Sequence, residues 1–211
     1  MRKKMGLFFL LIKSKIKFLG LFLIIYVFII PLFMAFLKSM NSIWNYTELI
    51  VKILYQIFYV IFSGISYILF MQDLVEEEGR EVFYINKRMY LMESFVFTVI
   101  TCVLLQISIN ILGFWNPSIK ECALFVIIEN ILVLGILYFI LYSSHSSAVA
   151  TAVMLCLLIG SLLSDNLYLS VIVPLGEDYK RLLYQAFIQT GYAIIFWSLG
   201  GIVNVFYSKF E

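Results

Sequence analysis

Six long apolar blocks restrict this chain to one broad fold class. They cover about residues 18–37, 51–71, 94–114, 122–142, 147–163 and 185–207. Each block is about long enough to cross a hydrocarbon layer of ~30 Å as a helix. Helix is expected because lipid offers backbone groups no hydrogen-bond partner, and the alternating pattern of a barrel strand is absent. The sequence therefore predicts an all-α, polytopic membrane protein, with residues 1–211 forming a single transmembrane domain of six spans.

Composition and motifs argue against a soluble enzyme. The chain is 63% hydrophobic and 13% charged, whereas a soluble domain carries about 25% charge. It contains no Gly-rich phosphate loop, no HExxH and no GxSxG motif. The three cysteines have no metal-like spacing, and the one histidine, His145, lies between serines in a predicted solvated turn. We expect no catalytic residue, no metal site and no nucleic-acid partner.

The distribution of basic residues predicts the orientation in the membrane. Six spans place both termini on the same side. With the N-terminus inside, ten Lys and Arg residues fall in cytoplasmic segments and five in outer segments. Positive residues are enriched in cytoplasmic loops, so the N-in, C-in orientation is favoured. The basic, amphipathic N-terminus, including KSKIKF at 13–18, then precedes a retained first span.

The loop DLVEEEGREVFYINKRMYLME, at 73–93, concentrates the charge of the chain. It begins with an acidic run, turns at Gly79, and continues with apolar residues too numerous for a loose loop. Written as a helix of about three turns, residues 80–90 have an apolar side and a basic side bearing Lys87 and Arg88. We expect a helix on the cytoplasmic membrane face that presents side chains to a partner protein. A second broken segment, YLSVIVPLGEDY at 168–179, predicts a short outer helical hairpin before the sixth span.

These features resemble the membrane-spanning subunits of type-2 ABC exporters. That family has six spans, cytoplasmic termini, an amphipathic N-terminal segment, a cytoplasmic coupling helix after an acidic E-x-G stretch, and an outer hairpin before the last span. The matching pieces are KSKIKF, EEEGRE at 76–81 with YINKRMY at 84–90, and the hairpin segment. The resemblance implies coupling to an ATPase through Glu77, Glu78, Gly79, Arg80, Glu81, Phe83, Tyr84, Lys87 and Arg88.

The resemblance also implies partners, location and cargo. ATP and Mg would bind a separate ABC ATPase subunit, and this chain would bind no cofactor. A second permease chain, as homodimer or heterodimer, would complete the path across the bacterial cytoplasmic (plasma) membrane. The exported substrate would be hydrophobic or amphipathic: a peptide such as an antimicrobial peptide, an antibiotic, or a lipid-like molecule.

Polar residues inside the spans are candidates for the substrate pathway. Glu129 is a carboxylate well inside the fourth block, and intramembrane ionisable residues face a bundle interior or a wet cavity. Two further sets recur at four-residue spacing, which gives a slowly rotating stripe on a helix. The candidates are Tyr55, Tyr59, Thr98, Gln106, Asn110 and Glu129. The same residues are also typical of hydrogen bonds between helices, and Gly191, Gly200 and Gly201 are suited to close helix contact.

Two other functions remain open at this stage. A substrate-binding membrane subunit of an energy-coupling-factor vitamin importer is also a compact six-span protein served by a separate ATPase. The first span lacks an Ala-x-x-x-Ala face, which argues mildly against it. An intramembrane enzyme needs paired acidic, His or Ser/Lys residues at one depth, and only Glu129 qualifies.

Overall fold

The computed structural model describes residues 13, 16–33, 35–36, 39, 48–75, 91–115, 120, 123–163 and 179–210. Within these ranges the chain is helical apart from residues 145–146, and no strand occurs. The all-α prediction is therefore confirmed for the part of the chain that the structure describes. The helices are α1 (Ile16–Ile24), α2 (Glu48–Val75), α3 (Leu91–Trp115), α4 (Ala123–Ser144), α5 (Ser147–Leu163) and α6 (Tyr179–Phe210).

Four of these helices are long and apolar enough to cross a membrane. Their candidate spans are Tyr55–Gln72, Leu91–Phe114, Ala123–Ser144 and Tyr179–Phe206. The apolar helical stretches Gly20–Phe33 and Ser147–Ser161 are shorter. Large apolar side chains also cover the outside of the bundle, as at Phe187, which is 79% exposed on α6. Apolar surface on this scale requires lipid or another protein against it. The helices and their surface together indicate a membrane protein.

Helix α4 forms the centre of the bundle. It packs against α2, α3, α5 and α6. Thirteen of its residues are buried, and they lie on every side of the helix. A helix that is apolar all round is stable only when it is surrounded, and ALFVIIENILVLGILYFILYSS has that character. Glu129, the carboxylate within the fourth apolar block, lies on this buried helix.

Helix α1 continues into a π-helical segment, Ile25–Ile29, and then on to residue 33. Pro31 lies two residues after the end of this segment. A proline lacks the backbone N–H of a normal helical turn and crowds the preceding turn, so a local change of helical pitch is a natural accommodation. The π segment buries Tyr26, whose ring packs edge-on against Tyr59 of α2, with centroids 4.6 Å apart.

The sixth apolar block begins earlier in the structure than the sequence indicates. The sixth block was expected to begin at about residue 185, but α6 runs without a break from Tyr179. The reason is a buried face formed by Leu182, Gln185, Ala186 and Gln189, whose spacing is that of one helix side. Lys180 and Arg181 lie on the exposed side of the same turns. Their charge lowers the hydropathy of this stretch, so the hydropathy pattern does not reveal the buried face.

Helices α4 and α5 are joined by a tight turn at His145. This residue has a φ of 51°, and its backbone N–H donates to the carbonyl of Leu141 at 2.9 Å. A left-handed residue with this bond is a common way to end a helix. His145 is half-buried, so the prediction of a short turn is confirmed, but the side chain is less solvated than expected.

Three predicted features lie wholly or largely outside the described residues. They are the amphipathic N-terminal segment, of whose KSKIKF stretch only Lys13 and residues 16–18 are described, the coupling helix within 76–90, and the outer hairpin at 168–179, of which only Tyr179 is described.

Candidate functional site

A buried carboxylate and a buried amide meet in the interior of the bundle. The side-chain nitrogen of Gln56, on α2, donates to both carboxylate oxygens of Glu129, on α4, at 2.7 and 2.6 Å. Glu129 is 1% exposed and Gln56 is fully buried. Hydrogen bonds to a carboxylate are roughly twice as strong as bonds between neutral groups. The amide therefore compensates Glu129 for its removal from water and fixes α2 against α4.

The neighbouring residue extends this contact to a third helix. Asn130 donates from its side-chain nitrogen to the Thr101 hydroxyl of α3 at 3.2 Å. The Tyr59 hydroxyl donates to the Thr101 backbone carbonyl at 2.6 Å. Gln56, Tyr59, Thr101, Glu129 and Asn130 form what we call the Glu129 cluster. Because Glu129 and Asn130 are adjacent on α4, their side chains point in different directions and reach α2 and α3 respectively.

Tyrosines of α2 set the register of α2 against α3. Tyr55 donates to Ser108 at 3.2 Å, and Tyr67 donates to Ser94 at 2.8 Å. As the number rises along α2 it falls along α3, so the two helices are antiparallel. The predicted tyrosine stripe of the second block is thus an array of hydrogen bonds between helices. Tyr55 and Tyr59 are both buried, at 1% and 0% exposed.

The predicted polar stripe on α3 divides between two environments. Thr98 is buried and donates back to the carbonyl of Ser94, one turn earlier. Cys102 is half-buried, whereas Gln106 and Asn110 are exposed on the outside of the bundle. Four residues advance a helix by about 400°, so each step turns the stripe by about 40°. The structure brings Tyr55, Tyr59, Thr98 and Glu129 into the interior, and separates Gln106 and Asn110 from them.

Helices α4 and α6 meet through a second set of side chains. Trp197 stacks on Tyr138, with ring centroids 5.1 Å apart, and donates from its indole nitrogen to the carbonyl of Ile131 at 3.2 Å. Asn204 donates to the Tyr138 hydroxyl at 3.2 Å. Beside Asn204, an apolar groove of about 360 Å³ lies between Leu91 of α3 and the second half of α6.

Two glycines permit this close approach of α4 and α6. A methyl group added at Gly135 would lie 2.7 Å from the Trp197 ring, and one at Gly200 would overlap the Tyr138 ring. The same addition at Gly191 or Gly201 meets nothing within 4 Å. Of the three glycines expected to permit close helix contact, Gly200 therefore does so within the chain, and the other two face open space.

The predicted ATPase-coupling residues are not among those that the structure describes. This set comprises Glu77, Glu78, Gly79, Arg80, Glu81, Phe83, Tyr84, Lys87 and Arg88. The described helices nevertheless fix its position along the chain, because α2 ends at Val75 and α3 begins at Leu91. The segment therefore joins the C-terminal end of α2 to the N-terminal end of α3, and these two ends lie on the same side of the bundle because the helices are antiparallel.

Sequence reasoning missed several buried polar residues, among them Gln56, Glu93 and Asn204. Gln56 is a single amide in an apolar block. Its isolation could have marked it, because polar side chains within membrane helices form hydrogen bonds to neighbouring helices. Glu93 was placed just before the third block, but it belongs to α3 and is 2% exposed. Asn204 lies in the last apolar block beside small and β-branched residues, and no spacing rule marks it.

The chemistry available to the Glu129 cluster is binding and charge compensation. The carboxylate can hold a proton or receive donors, and the amides of Gln56 and Asn130 can donate or accept. Among the described residues, no group of three or more His, Cys, Asp or Glu side chains could hold a metal ion.

Comparisons with protein-family models, curated proteins and solved structures find no match to this chain.

Proposed function

We propose that this chain is the transmembrane permease subunit of an ATP-binding-cassette exporter. It crosses the bacterial plasma membrane six times, with both termini in the cytoplasm, and moves a hydrophobic or amphipathic substrate out of the cell. The cargo class is a peptide, an antibiotic or a lipid-like molecule. A separate ATPase subunit binds and hydrolyses ATP, and the membrane chain itself performs no bond-making chemistry.

The observation that carries this proposal is the buried contact between Gln56 and Glu129. An ionisable residue within a membrane span is expensive to insert, and such residues usually mark a substrate or ion path. Here the carboxylate lies on α4, the most buried helix of the bundle, and accepts hydrogen bonds from Gln56 of α2. Its neighbour Asn130 donates a hydrogen bond to Thr101 of α3. A relative movement of these three helices changes the environment of Glu129, which is the property a transport site needs.

The ATPase partner is proposed from the segment between α2 and α3. That segment carries an acidic run at 76–78, then Gly79, then apolar and basic residues at the spacing of an amphipathic helix. A partner that pushes on this segment would act on α2 and α3 together, since the segment joins them. Those two helices carry Gln56 and Thr101, the residues that hold Glu129 and Asn130. Force at the cytoplasmic face would in this way reach the Glu129 cluster.

The proposal is tested by purifying the chain from its native membranes and identifying bound proteins. We expect an ABC ATPase to copurify with the wild-type chain. Glu77→Lys with Glu78→Lys, and separately Gly79→Pro, should release it, because they reverse the acidic run and break the turn. The matched control is Glu177→Lys with Asp178→Lys, the same charge reversal in the segment predicted to lie outside, and it should leave the ATPase bound.

Two results would overturn the proposal. Retention of the ATPase and of transport in the Glu77/Glu78 and Gly79 variants would remove the coupling role of this segment. Purification of the chain without an ATPase but with a tightly bound vitamin would favour the importer.

A further inference from the structure

The π segment of α1, Ile25–Ile29, is a wide turn that holds one residue more than an α-helical turn. The backbone N–H of Ile30 donates to the carbonyl of Ile25, five residues back, whereas an α-helix bonds four residues back. Single π turns inside α-helices are uncommon and are frequent at functional sites. Since α winding is the more stable default, some feature of this molecule must favour the wide turn.

The burial of Tyr26 is that feature. Phe22, Tyr26 and Ile30 are buried at four-residue intervals. In a straight α-helix, each step of four residues turns the side chain by about 40°, so a wider turn keeps Tyr26 and Ile30 on one side. The ring centroid of Tyr26 lies 4.3 Å from that of Phe22 and 4.6 Å from that of Tyr59. The π winding therefore seats Tyr26 against α2.

Tyr26 reaches the Glu129 cluster through Tyr59. The Tyr26 hydroxyl donates to the backbone carbonyl of Tyr59 at 3.5 Å, and the two rings meet edge-on. Edge-to-face aromatic pairs are directional contacts. The Tyr59 hydroxyl in turn donates to the carbonyl of Thr101, whose own hydroxyl accepts from Asn130. A displacement of Tyr26 would thus remove the support on one side of the Tyr59 ring.

The membrane-facing side of α1 allows this helix to rotate. Leu21, Leu23 and Ile24 are exposed on it, and lipid tails are as apolar as these side chains. If the π segment winds as an α-helix while Ile30 stays in place, the residues before it rotate by about 100°, the angle of one residue. That rotation carries Tyr26 away from Tyr59.

We propose that the π segment is a conformational switch that regulates the Glu129 cluster. In the π winding, Tyr26 supports Tyr59, and Tyr59 holds Thr101 beside Asn130. In the α winding, Tyr26 is withdrawn and the Tyr59 hydroxyl leaves the Thr101 carbonyl, which loosens α2 against α3. Tyr26 is thus a positioning residue. Its role in transport rests on the proposed function, whereas the two windings belong to α1 and can be observed without an ATPase.

Distances between spin labels test for the two windings in the isolated chain. The native cysteines are replaced by alanine, and Leu21→Cys on α1 and Val99→Cys on α3, both exposed positions, carry the labels. A rotation of 100° moves a side chain on the rim of a helix 10–12 Å wide by about 8 Å. Electron–electron resonance in lipid nanodiscs should therefore show two distance populations. Deletion of Phe28, which removes the extra residue of the π segment, should leave one.

Pro31→Ala gives a second variant of unchanged length. Without the proline ring, the turn before it is less crowded, so the population of the α winding should rise. A single population in the chain with both Phe28 and Pro31 present, or an unchanged ratio in Pro31→Ala, would overturn the switch.

Protection of cells against a panel of amphipathic peptides tests the connection to transport. Deletion of Phe28 fixes one winding with both flanks of α1 in place, so the unfolding temperature should be kept while protection is lost. Phe28→Ala, the matched control, keeps the wide turn and should protect like the wild type. Full protection by the deletion chain would overturn the regulatory role. No protection by the wild-type chain would instead contradict the proposed function, and the label distances would still decide whether α1 switches.

Discussion

The amide nitrogen of Gln56 lies within 2.7 Å of both carboxylate oxygens of Glu129, and neither residue is accessible to solvent beyond 1%. This contact joins α2 to the central helix α4. Substitutions at these two residues therefore test the packing and the function of the bundle interior.

Gln56 and Glu129 should behave as one energetic unit. Glu129→Leu or Gln56→Leu alone should lower the free energy of unfolding by about 1–2 kcal/mol, because each removes a charge-assisted contact and leaves the other polar group in place. The double leucine variant should cost less than the sum of the two, since replacing both partners by apolar groups can be nearly neutral. Thermal or denaturant unfolding in detergent micelles measures the cycle. Additive losses would show that the two residues are not coupled.

Replacing the charge of Glu129 while keeping its shape should separate folding from transport. Glu129→Gln preserves a side chain that Gln56 can bond, so the unfolding temperature should stay close to that of the wild type. If the charge serves the pathway, protection of cells against a panel of amphipathic peptides should fall by about tenfold, a loss of ~1.4 kcal/mol. Glu177→Gln, the same change in the predicted outer segment, is the control. Full protection by Glu129→Gln would assign Glu129 a structural role alone.

The glycine contacts between α4 and α6 should be sensitive to a single methyl group. Gly135→Ala drives a carbon against the Trp197 ring, and Gly200→Ala drives one against Tyr138. Each should destabilise the protein by about 1–3 kcal/mol, the usual cost of overpacking.

Gly160→Ala on α5 is the matched control for these two variants, because its added methyl group meets nothing within 4 Å. It should be neutral or slightly stabilising, since alanine is the better helix former. Equal unfolding temperatures for all three variants would mean that α4 and α6 do not pack as described.

The sequence predicted most of the helices because apolar block length is a strong signal. The fifth block matches α5 at both ends, and the third and fourth differ from α3 and α4 by at most three residues at either end. The partners of Glu129 were less accessible to such reasoning. Gln56 follows Tyr55 in the chain but points to a different helix, and a pairing between residues 73 positions apart depends on packing. The rotation of the α3 stripe was foreseen, but which residues it would expose was not.

The six-span topology predicts which segments are accessible from outside the cell. In a cysteine-free background, a single cysteine at Glu177 should react with a membrane-impermeant maleimide in intact cells. Cysteines at Glu77 and His145 should react only after the membrane is opened, because both segments are predicted to be cytoplasmic. Wild-type-like expression of each variant is the control. Labelling of Glu77Cys in intact cells would contradict the N-in orientation.

Native mass spectrometry of the complex released from its own membranes tests the central claim most directly. The account predicts an assembly that contains this 24.5 kDa chain, a second membrane chain, and ATPase subunits that dissociate when the acidic run at Glu77 and Glu78 is reversed. A single chain without an ATPase, alone or with a small bound molecule, would contradict it.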